Sequence, residues 1–389
     1  MALFPIASIK AHSLTGRITS PLLHAAFQAV RRNRGAAGID RVSITMFEAN
    51  LAANLSALER DLKSGSFQPL PLRRHFLPKG GGKFRPLGIP AVRDRVAQEV
   101  LRRLLHPIFE PLFHEASFGF RPGRNCHQAL ELAMHHHDQG LRCVLDADIV
   151  GFFDNLPQAL IKEAVAAQVA DGNILNLIEK FLRAGVMENG VFKPTTVGTP
   201  QGGVISPLLA NIVLNHMDWQ LHQLGYRFVR YADDFVVLCP TRAQAEEART
   251  QVTQILHQLG LQLSAEKTRI TTYGKGYSFL GFVMSSRSRR MRPKSQDKFK
   301  EKVQELTCRS RNLDAPVIEK LNRVIRGTAN YFAPRWSTSR WLLRKLDSWI
   351  RRRVRCMKFK GFSYHHNRRM RDKQFVRLAL LSLESFCGS

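Results

Sequence analysis

Cysteine is scarce in this chain and scattered. Its six copies, at positions 126, 143, 239, 308, 356 and 387, form no CxxC pair, which argues against structural zinc and against a disulfide framework. Long apolar runs are missing as well: no stretch approaches the ~18 uncharged apolar residues of a membrane span. The opening MALFPIASIKAHSLTGR has no sustained apolar segment of secretory type, so the expected setting is the cytoplasm, with no membrane, disulfide or zinc partner. Internal repeats and low-complexity tracts are absent. Acidic residues are the last shortage, with 31 Asp and Glu against 59 Lys and Arg, a net +28. The remaining balance is that of a globular protein: 44% apolar and 23% charged residues suffice for a core and exclude disorder as the main state. The 389 residues allow one large fold or two to three domains of roughly 150 residues each.

The positive charge is lopsided. From Val283 to the end, 28 basic residues face 8 acidic ones, +20 in 107 residues, and the preceding 282 carry only +8. Neutralising phosphates with release of their counterions is the usual use of such a segment, so a polyanionic partner is expected. A solvated basic face is the plain alternative. An anionic membrane surface fits less well, because the basic residues alternate with aromatics rather than lining one amphipathic helix. Stretches such as NYFAPRW, RWLLRKLDSWIRRRVR and KFKGFSYHHNRRMR suit structured or single-stranded RNA, whose bases stack on aromatic and guanidinium planes. Arg351, Arg352 and Arg353 cannot share one helix face, so they must surround a partner or face solvent.

Residues 1–70 read as helical, with apolar spacing over 21–30 and 45–62 and the loop RGAAGID between them. Over 70–90 the texture changes to a hairpin with a glycine tip, HFLPKGGGKFRPLGIP, followed by a helix over 92–113. Strands are predicted over 142–149 and 277–284, with a hairpin over 228–239. Helices intervene, starting at Asn155-Leu156-Pro157 (where Asn155 would cap), at Ser206-Pro207 and at Gln244. This intermixed order predicts an α+β domain and not a regular βαβ series. After Met284 the strands are expected to stop, with helices near 297–308, 316–332 and 339–357. The expected domains are 1–70, 71–284 and 285–389.

Two adjacent carboxylates, Asp233 and Asp234, interrupt the apolar hairpin RFVRYADDFVVLC. Burying them together is costly unless a cation neutralises them, although a turn that exposes both to water is the simple alternative. In CVLDADIVGFFD, Asp146 and Asp148 share one face of a strand whose other face is apolar. If that strand lies beside the hairpin, carboxylates from distant segments converge, as two magnesium ions would require. Two metals about 3.5–4 Å apart can stabilise both the attacking 3′-oxygen and the leaving pyrophosphate. In TTVGTPQGGVISPLLANIVLNHMD, the glycines at 198, 202 and 203 would let the backbone approach a flat partner such as a base pair. The absence of GxxxxGK[ST] excludes a nucleotide-hydrolase phosphate loop.

These segments, in this order and with LPKGGGKFRPLGIP upstream, resemble the reverse transcriptase family. The resemblance is closest to the proteins of bacterial group II introns, whose palm carries a DIxGFFD-type strand, a TPQGGxxSPLLANI segment and YADD. It runs from RGAAGID to FLGF at 279–282 and continues in LNRVIRGTANYFA at 321–333, which looks like their thumb or maturase segment. The resemblance implies a right-hand polymerase fold, fingers and palm, followed by an α-helical thumb/maturase domain. It implies an RNA-dependent DNA polymerase of the bacterial cytoplasm, taking an RNA template, a DNA or RNA primer and dNTPs. A structured intron-like RNA is the further partner it implies.

By the same resemblance, Asp148, Asp233 and Asp234 are the catalytic, metal-binding carboxylates for two Mg2+ ions, with Mn2+ as a substitute, and Asp146 is a neighbour. Lys79 and Arg85 hold the triphosphate, Phe153 lies against the incoming sugar and clashes with a 2′-hydroxyl, and Gln201 lines the nucleotide. Arg121, Arg124 and Gly202 are expected at template or primer, Phe279, Leu280 and Gly281 at the primer terminus, and Arg351, Arg352 and Arg353 on RNA. For several of these, core packing or plain surface charge is the alternative. One departure from many such proteins is that nothing after the thumb-like region resembles a zinc-supported HNH endonuclease. Two other readings keep the fold: a non-polymerising RNA-binding splicing factor, and a free-standing reverse transcriptase in phage defence, spacer acquisition or repair.

Overall fold

Two helices buried on nearly every side organise the larger part of the molecule. They are α4 (Val92–Phe109), which buries Val96, Ala97, Val100, Leu101, Leu104 and Leu105, and α9 (Ser206–Gln223), which buries residues on every side. A mostly apolar helix such as α9 belongs in an interior, whereas α4 also buries Asp94, Arg95, Gln98 and Glu99. The computed structural model describes residues 3–7, 9–80, 83–188, 190–199 and 202–388. The chain divides into two units, residues 1–136 with 147–269 and residues 137–146 with 270–389.

In the first unit α4 packs on α1 (Ser20–Arg32), and α2 (Ile44–Ala49) and α3 (Leu51–Ser64) lie against it. The single helix expected over 45–62 is broken at Asn50, whose φ of −121° and ψ of 40° are not helical. Asn54 Nδ2 donates to the Phe47 carbonyl at 2.8 Å, supplying a donor that the end of α2 lacks. The hairpin of β1 (Leu72–Gly80) and β2 (Lys83–Ile89) forms as expected. It is extended by β4 (Val186–Glu188), parallel to β1, and by β5 (Val191–Lys193) in a sheet ordered β2-β1-β4-β5. The strand β3 (Cys143–Asp148) enters this unit at Ala147. It leads to α6 (Phe152–Asn155), α7 (Gln158–Ala166) and α8 (Gly172–Leu182). Asn155 does not cap α7; its amide donates to the Val150 carbonyl at 3.0 Å, and Pro157 stands at the cap position. The antiparallel pair β6 (Arg227–Tyr231) and β7 (Asp234–Cys239) is buried on both faces, and α10 (Arg242–Gln258) packs on β7.

In the second unit β8 (Arg269–Thr272) runs beside Cys143–Asp146 of β3. The strand expected over 277–284 is a hairpin, β9 (Tyr277–Phe279) and β10 (Phe282–Met284), because Leu280 and Gly281 take φ of +47° and +83° and reverse the chain. Strands do not stop at Met284: β11 (Arg289–Met291) returns to pair with β10. Three residues, two of them arginine, are too short and too charged to announce a strand by alternation. The helices α11 (Pro293–Leu306), α12 (Ala315–Phe332), α13 (Arg340–Lys358), α14 (His366–Arg369) and α15 (Asp372–Arg377) follow. Asp314 caps α12 by accepting from Val317 N at 3.0 Å.

Candidate active site

Tyr231 pairs with Asp234 across the β6–β7 hairpin, so Ala232 and Asp233 form a two-residue turn. Ala232 has φ +58°, a sign that costs an L-residue about 1–2 kcal/mol. The surroundings hold it there. Arg230 is fully buried; its Nε donates to Asp218 Oδ1 at 2.7 Å, and its Nη1 donates to Asn211 Oδ1 and to the Ala232 carbonyl, each at 2.9 Å. Asn211 in turn donates to the Gly119 carbonyl at 2.8 Å. A Cβ at Gly119 would lie 2.3 Å from Ala232 N, so only glycine lets the chain pass so close to the turn. The turn is thus gripped from both sides.

The end of β3 lies beside β7, which brings Asp148 towards Asp233 at the mouth of the turn. Burial pushes the Asp233 carboxyl up from its ordinary value, and the negative charge of Asp148 pushes it further; Arg85 and Lys267 oppose both. Asp234 begins β7 directly after the turn. Lys267 Nζ sits 2.7 Å from Asp148 Oδ2. It reaches that place because residues 262–268 wrap the end of β3: Val150 N donates to Gln262 O, Ser264 N to Asp148 O, and Thr268 N to Ser264 O. A carboxyl pushed up by burial and by a second carboxylate calls for a cation, and the ammonium supplies one positive charge. An oxygen-only donor set of this kind fits a hard divalent ion. Among the described residues no three His, Cys, Asp or Glu side chains are already gathered into a metal cage.

Arg85 is exposed on β2, near enough to lower the proton affinity of both Asp154 and Asp233. Phe153 is half-buried, edge-on to the buried Phe152 at 5.1 Å. Its carbonyl accepts from Thr199 N at 2.8 Å, and a Cβ at Gly198 (φ +85°) would lie 2.7 Å from the same oxygen. Gly198 therefore ties the TTVGTP loop to Phe153. Gly202 (φ +111°) makes its close approach to the protein itself and not to a base pair, since a Cβ there would lie 2.3 Å from the Gly88 carbonyl oxygen. The Lys79 side chain and Gln201 fall outside the described residues.

Arg121, expected at template or primer, is bonded within the protein. It is buried, bonded to Glu110 at 2.9 Å, and donates to the carbonyls of His114 and Ser117 at 2.7 and 2.8 Å. Arg124 lies over Phe118 and donates to the Glu115 carbonyl. In the second unit Phe279 is fully buried core, and the Leu280 carbonyl accepts from Tyr331 Oη at 2.8 Å. The Gly281 carbonyl accepts from Arg292 N at 3.0 Å. Arg353 donates to Thr307 Oγ1 and O at 3.1 and 2.9 Å, and Arg351 leans on Asp372 at 3.6 Å; only Arg352 of the three is exposed. Sequence reasoning missed Arg230, Asp218, Asn211 and Gly119 altogether, and it gave Lys267 no place among the site residues. A signal existed: Asn211 and Asp218, seven apart, mark one face of an otherwise apolar helix, and Arg230 stands in an apolar strand.

Residues 77–284 match the family described as reverse transcriptase (RNA-dependent DNA polymerase), and 296–375 match the group II intron maturase-specific domain. The chain is 36% identical to protein YkfC of Escherichia coli K12, over 72% of this chain and 85% of that one. It is 34% identical to the group II intron-encoded protein LtrA of Lactococcus lactis subsp. cremoris, over 64% of this chain and 41% of that one. A 91 kDa protein in the cob intron of Schizosaccharomyces pombe is 31% identical over 58% of this chain and 35% of that one.

Proposed function

Because the chain belongs to the reverse transcriptase family of group II intron-encoded proteins, we propose that Asp148, Asp233 and Asp234 form its polymerising centre. It is an RNA-directed DNA polymerase that carries a maturase-specific segment. In fold terms the reading is a right hand, with residues 71–284 as fingers and palm, 1–70 as their helical extension and 285–389 as the thumb/maturase part. Its substrates would be an RNA template, a DNA or RNA primer and deoxynucleoside triphosphates, with a structured intron-like RNA as partner.

The observation that carries the reading is the convergence of Asp148 and Asp233, whose carboxyl the Asp148 charge pushes up, with an ammonium drawn to Asp148. The three aspartates would hold two Mg2+ ions, or Mn2+. The chemistry such ions supply is charge stabilisation at the entering and leaving oxygens of an in-line displacement. The chain's own residues do the rest by position and charge. The Arg230 network fixes the turn that presents Asp233. Lys267, more than half exposed, can withdraw from Asp148 and meet a phosphate. Arg85, with Lys79, would clamp the triphosphate, for which a guanidinium fork is well shaped. Phe153, held by Gly198, would stand where a 2′-hydroxyl has no room, and Gln201 would line the base.

Asp233→Ala should lower primer extension by several orders of magnitude, since charge stabilisation at the reacting phosphate is usually the largest catalytic term. RNA affinity should stay near that of the parent. Near-normal extension in that variant would refute the assignment of the carboxylates.

A further inference from the structure

Within the second unit, the late turns of α13 and the segment after it enclose a cavity of about 200 Å3, lined among others by Ser348, Arg352, Phe362, Tyr364, His366 and Asn367. Nothing in the polymerising centre uses it. Ser348 and Arg352 stand four apart on one face of α13. Arg352 is exposed and makes no ion pair among the described residues. Opposite them, Phe362 and Tyr364 are 52% and 79% exposed, with rings 5.5 Å apart at 71°. His366 packs its ring on Phe359 at 4.6 Å, and its Nδ1 is buried with no hydrogen-bond partner among the described residues.

Each feature narrows the occupant. Two large aromatic rings left in water, with a polar buried atom unsatisfied beside them, mark a surface that lacks its ligand. The lining is not that of an apolar packing fault, because hydroxyl, amide, imidazole and guanidinium groups all face it. A free guanidinium at the mouth, with Arg368 and Arg369 on the adjoining α14, asks for an anion. A flat π-face joined to a phosphate meets both demands. The volume is many times the ~10–15 Å3 that one water needs, which leaves room for a planar ring system. We propose that this cavity receives one unstacked nucleotide of an RNA, its base against Tyr364 and Phe362 and its phosphate on Arg352. The proposal rests on the reading that this chain binds a structured RNA and names the subsite and the kind of nucleotide. Extruding a base from a duplex costs a few kcal/mol, so a bulged nucleotide, already free of its stack, is the preferred occupant.

The test uses the full chain and two RNA hairpins of identical stem, one fully paired and one with a single bulged 2-aminopurine. The parent should bind the bulged hairpin on the order of tenfold more tightly and change the 2-aminopurine fluorescence. Stacking on one aromatic is worth a factor of that size or somewhat more. Tyr364→Ala should abolish the preference and the fluorescence change while leaving the paired hairpin's affinity intact, and Tyr364→Phe should keep both. Tyr364 is so exposed that neither change threatens the fold, which the melting temperature checks. Equal affinity of the parent for both hairpins, or an unaltered preference in Tyr364→Ala, overturns the subsite and leaves general RNA binding standing. Failure to bind either hairpin overturns the RNA reading itself. Binding of free 2-aminopurine ribonucleotide as tight as the bulged hairpin overturns the assignment to RNA in favour of a mononucleotide site.

Discussion

The two units treat charge in opposite ways. The candidate centre gathers carboxylates and draws Lys267 onto Asp148, while Arg121 and Arg230 of the same unit are buried on partners of their own. The helical unit is the reverse, crowded with cations and short of acids. Even there most arginines of α13 are committed. Arg340 and Arg344 bind Glu384, whose carboxyl the Arg344 hydrogen bond pulls down to about 2, and Arg351 and Arg355 share Asp372. Arg353 holds Thr307, and Arg352 alone of its run projects freely. A net charge counted along a chain is therefore not the charge a ligand meets. Burial and an internal partner decide which residues remain available.

The sharpest way to break that contrast is to exchange one arginine from each side. Arg230→Met leaves Asp218 buried and unpaired, which should cost about 3–5 kcal/mol, read as a large drop in melting temperature with loss of extension. Arg352→Ala should stay within about 0.5 kcal/mol of the parent. Arg230→Met with Asp218→Leu removes both buried charges and should recover most of the stability, since apolar replacements of a buried pair are often neutral. Extension should remain low in the double variant, because the Ala232 carbonyl has lost the donor that fixes the turn. Full recovery of extension would mean that the network only stabilises and does not position Asp233.

The carboxylates at 148 and 233, which the fold brings together, were legible by residue type, while the roles expected of them, of Asp234 and of Phe153 came from the family resemblance. The Arg230–Asp218 bond spans 12 residues and the Arg353–Thr307 bond 46, and local periodicity carries no information about such partners. Hence the partners that Arg121, Arg351 and Arg353 hold within the protein could not be read from the sequence. The strand β11 was hidden for a related reason, since Arg289 N and Met291 N donate to Thr338 Oγ1 and Ser339 Oγ, 49 and 48 residues away. Phe153 lies between these cases: the family resemblance suggested a steric role, and Gly198 explains how its backbone is held. Phe153→Ala should raise ribonucleotide incorporation by about 10²-fold or less, the limit for rejecting one hydroxyl by an apolar wall. Unchanged sugar selectivity in a folded variant would make Phe153 a packing residue and weaken the contrast between centre and core.

The smallest effect divides neighbours on one helix. Arg353 donates twice to Thr307, a residue with no exposed surface. Arg353→Gln should cost about 1 kcal/mol, the usual net worth of such a bond, and shift the melting temperature by a few degrees. The affinity for a 20-nucleotide single-stranded RNA and its salt dependence should not move. Arg352→Gln should do the opposite, with an unchanged melting temperature and a log–log salt slope shallower by about 0.7, the loss of one phosphate contact on a single strand. The affinity of Arg352→Gln should weaken alike across sequences, since a phosphate contact carries no base information. A flattened slope in Arg353→Gln and none in Arg352→Gln would invert the assignment of structural and ligand-facing charge along α13.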